Sequence, residues 1–235
     1  MRDDVHLITF DLDNTLWDVD AIIIKAEMNM RDWMSVHAPQ ALEVYTSAQM
    51  EDIRNDVFTA HAHMRHDLTY MRTEVLTAVM RRAGHAEGDA RIMAQAAFDV
   101  FFVGRNTVEF FPDALRMLST LSDHCPLYAL TNGNADIERA GLGPYFSGAF
   151  SSADVGASKP DPAMFRAALN AAGIDPTRAV HIGDNLVDDV HGAQAVGMRT
   201  IWVNLDDTDP APDSAEPDAI VTHLSQLPEV IAGLD

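Results

Sequence analysis

The chain has 235 residues, 47% of them hydrophobic, with 16 Lys and Arg against 36 Asp and Glu and a formal charge of −20. That apolar content over this length excludes global disorder and suits one large domain, or a core with a smaller companion. The charge excludes electrostatic association with nucleic acid or an anionic membrane, because both would be repelled at long range.

A lone Cys125 can form neither an internal disulfide nor a cysteine-built zinc site. The segment Met1-Arg2-Asp3-Asp4 places two acids ahead of a short apolar run, which is not the pattern of a signal peptide. No apolar stretch approaches the roughly 20 residues of a spanning helix, so a cytoplasmic protein is expected. Lysine is scarce, with only Lys25 and Lys159, and Asp outnumbers Glu by 27 to 9; drift of genome composition accounts for this bias more simply than adaptation to salt.

Residues 5–10 (Val-His-Leu-Ile-Thr-Phe) form a β-prone apolar run stopped by Asp-Leu-Asp-Asn-Thr. This is the pattern of a buried strand delivering polar residues at its C-terminal end. From about 20 to 105 the texture is helical, with periodic segments at 21–37, 48–66, 68–82 and 89–103 and no strand among them. The breaks fall at Ala38-Pro39, at Gly84 and around Glu87-Gly88. After Pro112 helices and strands alternate: helix 113–123, strand 127–130, a helix near Ala135, a strand near Ala149, helix 162–172, strand 179–182, helix 187–196 and strand 200–203. A Pro- and Asp-rich loop at 206–217 precedes a last strand at 219–221 and a terminal helix. Such alternation means a parallel sheet with crossover helices. The first strand has no domain of its own and must join that sheet. The expected fold is therefore α/β, a Rossmann-like core from residues 1–19 and 106–235 interrupted by an all-helical insertion at 20–105.

In an open parallel sheet, ligands bind outside the carboxyl ends of the strands. After the first strand come Asp11, Asp13 and Thr15; after the second, Thr131-Asn132-Gly133-Asn134; after the next strand region, Lys159-Pro160; after the fourth, Gly183-Asp184-Asn185, with Asp188 and Asp189 close behind. Clustered carboxylates repel one another and cannot all stay ionised without a cation. Mg2+ suits such a site, being held by one or two carboxylates, waters and a substrate phosphate, and no spacing of acids around a glycine resembles a Ca2+-binding loop. Thr131 and the amides around Asn132 and Gly133 offer donors to an anion, and Lys159 a point charge, so the set looks built for a phosphoryl group. Acids at strand ends also cap helices, a simpler reading for any one of these positions than for four together.

Asp11-Leu12-Asp13-Asn14-Thr15-Leu16, Thr131-Asn132-Gly133, Lys159-Pro160-Asp161 and Gly183-Asp184-Asn185 with Asp188/Asp189 resemble, in order and spacing, the four motifs of the haloacid dehalogenase-like superfamily. The helical insert between the first two is similar to that of members with a C1-type cap. The resemblance implies that Asp11 attacks phosphorus to form an aspartyl-phosphate. It further implies that Asp13 acts as general acid and base, and that Mg2+ is held by the Asp11 carboxylate, the Asp13 carbonyl and Asp184. Lys159 would then offset charge while Thr131, Asn132 and Gly133 hold the phosphate oxygens. Either Asp189 or Asp188 would supply the last acid, with Asp189 favoured because Asp189-Val190-His191-Gly192-Ala193 resembles the helix start that follows it in relatives.

Haloacid dehalogenases resemble this core but lack an acid at the position of Asp13, since a halide leaves without a proton, so Asp13 argues for phosphoryl transfer. Phosphonoacetaldehyde hydrolases are similar but need a cap lysine, for which Lys25 is the one candidate. A sugar phosphomutase on the same core, or a non-catalytic phosphate-binding protein, are further alternatives. Residues 7–18, the segment His66-Asp67-Leu68-Thr69-Tyr70-Met71-Arg72 and residues 129–135 resemble bacterial phosphatases acting on flavin mononucleotide and on phosphorylated ribitylaminouracil. By that resemblance Arg72 is a candidate for the polar part of a substrate and Tyr70 or Trp17 for stacking on a ring. On a helix, His61 and His63 would point roughly 200° apart, so the His61/His63/His66 group is a poor metal site. His181 falls in a core strand and is read as a structural imidazole.

Overall fold

The computed structural model describes residues 5–234, and the chain divides into two compact units. One combines the chain up to Asp18 with everything from Glu109 onward; the other is Val19–Val108. The segment Met1-Arg2-Asp3-Asp4, read above for targeting, lies outside the described residues.

The first unit holds six strands: β1 (Leu7–Phe10), β2 (Leu127–Thr131), β3 (Gly148–Ser151), β4 (Ala179–Gly183), β5 (Arg199–Val203) and β6 (Ala219–Val221). They form one parallel sheet in the order β3-β2-β1-β4-β5-β6. Every residue of β1 and β4 is buried, as expected of central strands covered on both faces, which read as continuous apolar runs. The register pairs Phe10 with Ile182 on one side and with Ala129 on the other. The carboxyl ends of β1, β2 and β4 therefore finish side by side, and the residues just beyond them share one edge of the sheet.

The second unit is helical: α1 (Val19–His37), α2 (Pro39–Tyr45), α3 (Gln49–Ala60), α4 (Leu68–Arg82) and α5 (Glu87–Arg105). Helix α1 buries Ile22, Ala26, Met30 and Met34, a four-residue repeat that draws one stripe along the helix. It crosses α5 closely at Gly104, where an added Cβ would stand 2.8 Å from the Ala26 Cα, so only glycine fits that crossing. Unbranched Met30, Met34, Met71 and Met80 fill the core between the helices, a use suited to their adaptable shape.

Back in the first unit lie α6 (Ala114–Ser122), α7 (Ser152–Val155), α8 (Ala163–Ala172), α9 (Gly192–Gln194) and α10 (Leu227–Gly233). Helix α8 buries Met164, Phe165, Ala168 and Leu169 against Leu7, Leu130 and Ala179 of the sheet.

The break expected at Ala38-Pro39 separates α1 from α2, with Pro39 in the first turn of α2, where its missing N–H costs nothing. The structure corrects three expectations. The helix expected over 48–66 stops at Ala60 and gives way to a 3-10 turn, Ala62–Met64, before the Asp67 carboxylate caps α4 by accepting from the Tyr70 N–H at 2.8 Å. Residues near Ala135 make turns instead of a helix: the Asp136 carboxylate takes the N–H groups of Glu138 and Arg139, and Gly141 follows at φ +80°. The stretch 187–196 begins as a π-helical turn, Leu186–His191, capped by the Asn185 side chain, and only its end is α-helical. Among the described residues no helix is long and apolar enough to cross a membrane.

Candidate active site

Asp11 is the first residue beyond β1, and its N–H donates to the Ile182 carbonyl at 2.8 Å, which locks the turn to β4. Asn14 takes a left-handed conformation (φ 59°), which asparagine tolerates better than most residues. The turn bends the chain back so that the Asn14 N–H reaches the Trp17 carbonyl at 2.8 Å. Trp17 is fully buried against Phe110, and its indole N–H donates to Asp13 Oδ1 at 2.8 Å. The indole thereby fixes the Asp13 carboxyl and has no exposed face, which overturns the expectation that Trp17 stacks on a substrate ring.

Lys159 is the centre of the cluster. Its ammonium is buried and donates to Asp11 Oδ1 at 2.6 Å, Asp189 Oδ1 at 2.6 Å and the Leu130 carbonyl at 2.9 Å. All three of its protons are thus used, two on carboxylates. The Thr15 hydroxyl lies 3.2 Å from Asp11 Oδ2 and 3.3 Å from Asp184 Oδ1; with one proton it can serve only one of them at a time. The Trp202 indole N–H holds the Asp184 carbonyl at 2.7 Å.

Behind Asp189 stands a relay that the sequence reading of His181 did not foresee. His181 is buried, with Nε2 3.1 Å from Asp189 Oδ1 and Nδ1 2.7 Å from the Thr9 hydroxyl. A carboxylate only accepts, so Nε2 carries the proton and Nδ1 receives that of Thr9. Burial lowers the pKa of His181 despite Asp189, keeping the ring neutral. The Asn185 N–H adds a donor to Asp189 Oδ2 at 3.0 Å. Gly183 makes room for this carboxylate, since a Cβ there would stand 2.3 Å from it.

The other expected residues share a cavity of about 170 Å3 that Asp11, Asp13, Thr131, Asn132, Lys159 and Asp184 help to line. Asn132 serves the scaffold: its Oδ1 accepts the Lys159 N–H at 2.7 Å, and its Nδ2 donates to the Lys159 carbonyl and to Asp188 Oδ2. The Gly133 N–H donates to Thr131 Oγ1 at 2.9 Å. Asp188 lines the cavity beside Asp189, but it is Asp189, 1% exposed, that pairs with Lys159. Arg72 and Tyr70 belong to the helical unit, Arg72 on Glu27 at 3.0 Å and the Tyr70 hydroxyl on His61 Nδ1 at 2.9 Å. Lys25 lies exposed on α1.

The charges do not balance. Burial, together with the charges of Asp189 and Asp184, outweighs Lys159 and raises Asp11 well above the ordinary carboxylate range. Burial and the neighbouring Asp189 push Asp184 up to about 6 and raise Asp188 in the same way. Burial would raise Asp189 too, but Lys159 and the His181 hydrogen bond overcome it and hold Asp189 low. Lys159, which burial alone would discharge, is kept protonated by its two carboxylates. Oxygen atoms of Asp11, Asp184 and Asp189 lie within 4.8 Å of one another. One cation among three close acids leaves a deficit of positive charge that a hard divalent ion would fill, and an all-oxygen donor set fits Mg2+.

Residues 5–197 match the family described as haloacid dehalogenase-like hydrolase. The 5-amino-6-(5-phospho-D-ribitylamino)uracil phosphatase of Escherichia coli is 31% identical over 87% of this chain and 86% of its own length. The phosphoserine phosphatase of Thermus thermophilus is 37% identical over 66% of this chain and 63% of its own. Among solved structures, one from Pseudomonas syringae pv. Tomato described as a 2-haloacid dehalogenase superposes with a TM-score of 0.92 and 39% identity, covering 98% of this chain and all of that one.

Proposed function

The chain belongs to the haloacid dehalogenase-like hydrolase family, and we propose that within it the protein is a Mg2+-dependent phosphatase of a small phosphorylated metabolite. The observation that carries this reading is the second carboxyl of the first motif: Asp13 lines the same cavity as Asp11 and is held there by the Trp17 indole. An alkoxide is a poor leaving group and needs a proton as it departs, whereas a halide does not. A site built to displace halide has no use for an acid at that place, so Asp13 favours phosphoryl transfer over the dehalogenase description carried by one structural neighbour.

In this mechanism Asp11 attacks phosphorus in line and forms an aspartyl-phosphate while Asp13 protonates the departing oxygen. Asp13 then takes a proton from water, which attacks the same phosphorus and releases inorganic phosphate and the Asp11 carboxylate. Lys159 holds Asp11 Oδ1 at 2.6 Å and so orients the nucleophile and offsets its charge. The Thr131 hydroxyl, which accepts from the Gly133 N–H, retains its own proton for a phosphoryl oxygen. Mg2+, held by Asp11, Asp184 and the Asp13 carbonyl, would neutralise charge on the transferring group. The helical unit acts as the cap, and its Arg72 and Tyr70 are specificity residues.

The similarity to the ribitylaminouracil phosphatase over most of both chains supports a substrate of the riboflavin pathway, that phosphate ester or flavin mononucleotide. Phosphate release is measured from a panel containing both, sugar phosphates and phosphonoacetaldehyde, with Mg2+ and with EDTA, beside Asp11→Asn. The expected result is Mg2+-dependent turnover that Asp11→Asn abolishes and that prefers the flavin-related esters. A folded, Mg2+-binding protein that turns over no ester sinks the phosphatase reading; turnover without that preference sinks only the narrower one.

A further inference from the structure

The helical unit contains a cavity of its own, about 310 Å3, walled by α2, α3 and α4. That volume is at the small end of the ~300–1,000 Å3 typical of small-molecule sites. Its floor is apolar and buried: Met71, Val75 and Leu76 are each under 8% exposed. Its rim is apolar yet open, with Phe58 37% and Leu68 46% exposed. No carboxylate is among the lining residues, and two of them are arginines, Arg54 and Arg72.

Arg72 is held by Glu27, whose carboxylate is already shared by three donors: the Tyr45 hydroxyl on Oε1, Arg72 at 3.0 Å on Oε2 and Arg31 at 3.4 Å. Burial first, and then the hydrogen bond to Glu27, pushes the Tyr45 phenol up to about 12, so it stays a neutral donor. The Arg72 guanidinium carbon also lies over the Phe101 ring, 3.7 Å from its centroid, a cation–π contact that helps hold it in place. Arg54 makes no hydrogen bond or ion pair among the described residues. Two guanidinium groups and no carboxylate thus line the cavity, and cationic side chains over an apolar floor are the complement of an anion with an apolar body.

We propose that this cavity binds a small organic monoanion, an aryl or branched-alkyl carboxylate, with its apolar body on Met71, Val75 and Leu76 and its charge on Arg54 at the mouth. The binding site lies wholly within the helical unit and shares only Arg72, named above for specificity, with the residues assigned to the phosphatase.

Calorimetric titration of the full chain with 2-naphthoate, and with the neutral 2-naphthylmethanol of nearly the same shape, tests this. The expected result is saturable 1:1 binding of the carboxylate, with the alcohol roughly 10-fold weaker or more, since a charged hydrogen bond is lost. Arg54→Gln, an exposed position where folding is not at issue, should weaken naphthoate by a similar factor, and Val75→Trp, which fills the floor, should abolish it. Arg82→Gln, on α4 but outside the cavity, should leave the affinity unchanged. Equal affinity for the acid and the alcohol, an affinity indifferent to Arg54→Gln, or no saturable binding would each overturn the proposal. So would a concentration-dependent dimer, broken by Leu68→Glu, that excludes the probe, because the rim would then be an interface with a second copy.

Discussion

Each unit of this protein contains a side chain shared by several partners, and the two differ in sign and in depth. In the sheet unit the hub is a cation, Lys159, 3% exposed and shared between Asp11 and Asp189. In the helical unit it is an anion, Glu27, whose side chain is 19% exposed and shared by Tyr45, Arg72 and Arg31. The first leaves uncompensated negative charge, while the second holds two guanidinium groups on one carboxylate. The first calls for a cation beside Lys159, and the arginines that line the helical unit's cavity call for an anion there. Depth decides how much each arrangement is worth, because charges out of water interact strongly and are costly to leave alone.

The largest break in that comparison is Lys159→Met. It strands two carboxylates in the core, and the expected loss is about 3–5 kcal/mol of unfolding free energy, read by urea denaturation, together with a fall in turnover on the order of 10^3-fold. An unchanged denaturation midpoint would show that the buried pair does not hold the site together.

Next comes pH. Asp184 titrates at about 6 in the folded chain and near the ordinary carboxylate value when unfolded. The folded state therefore binds the proton more tightly, and stability should fall as pH rises from about 4 through 6, by about 3 kcal/mol from this group in metal-free protein. Mg2+ competes with that proton, so it should raise the melting temperature strongly at pH 7 and little at pH 4.5. Equal stabilisation at both values would count against Asp184 as a ligand.

A smaller effect sharpens the role of depth. His181→Phe keeps the buried volume and the edge contact with Phe165 but removes the donor to Asp189. It should cost about 1–3 kcal/mol and lower kcat more than KM, while His181→Gln, which can still donate to Asp189, should recover part of both. Glu27→Gln should cost least, about 1–2 kcal/mol, because Arg31 and Arg72 reach water; a loss as large as that of Lys159→Met would erase the distinction between the two hubs.

Much of this was readable from the residues in order. The run at 5–10 followed by Asp11 and Asp13, and the alternation after Pro112, are local patterns of period and punctuation, and they led to a parallel sheet with acids at its strand ends. Thr131, Lys159 and Asp184 were found the same way, because each follows a strand. His181 is the buried structural imidazole that the sequence suggested, but what it and Trp17 hold depends on partners that only strand register and turn geometry bring near. His181 lies eight residues before Asp189, yet what makes it part of the site is the Thr9 hydroxyl from a neighbouring strand. Trp17, read as a stacking surface, is turned inward by the left-handed residue at Asn14.

The amino-acid sequence by itself determined the fold class, the place of the helical insertion and the residue types at the strand ends, because these depend on short-range periodicity and on which residues end a strand. The tertiary structure alone decided which acid Lys159 shares with Asp11, how Asp13 is held, and which side chains line the cavity of the helical unit. Those are sums over side chains distant in sequence, with strengths set by burial, and no local pattern carries that information.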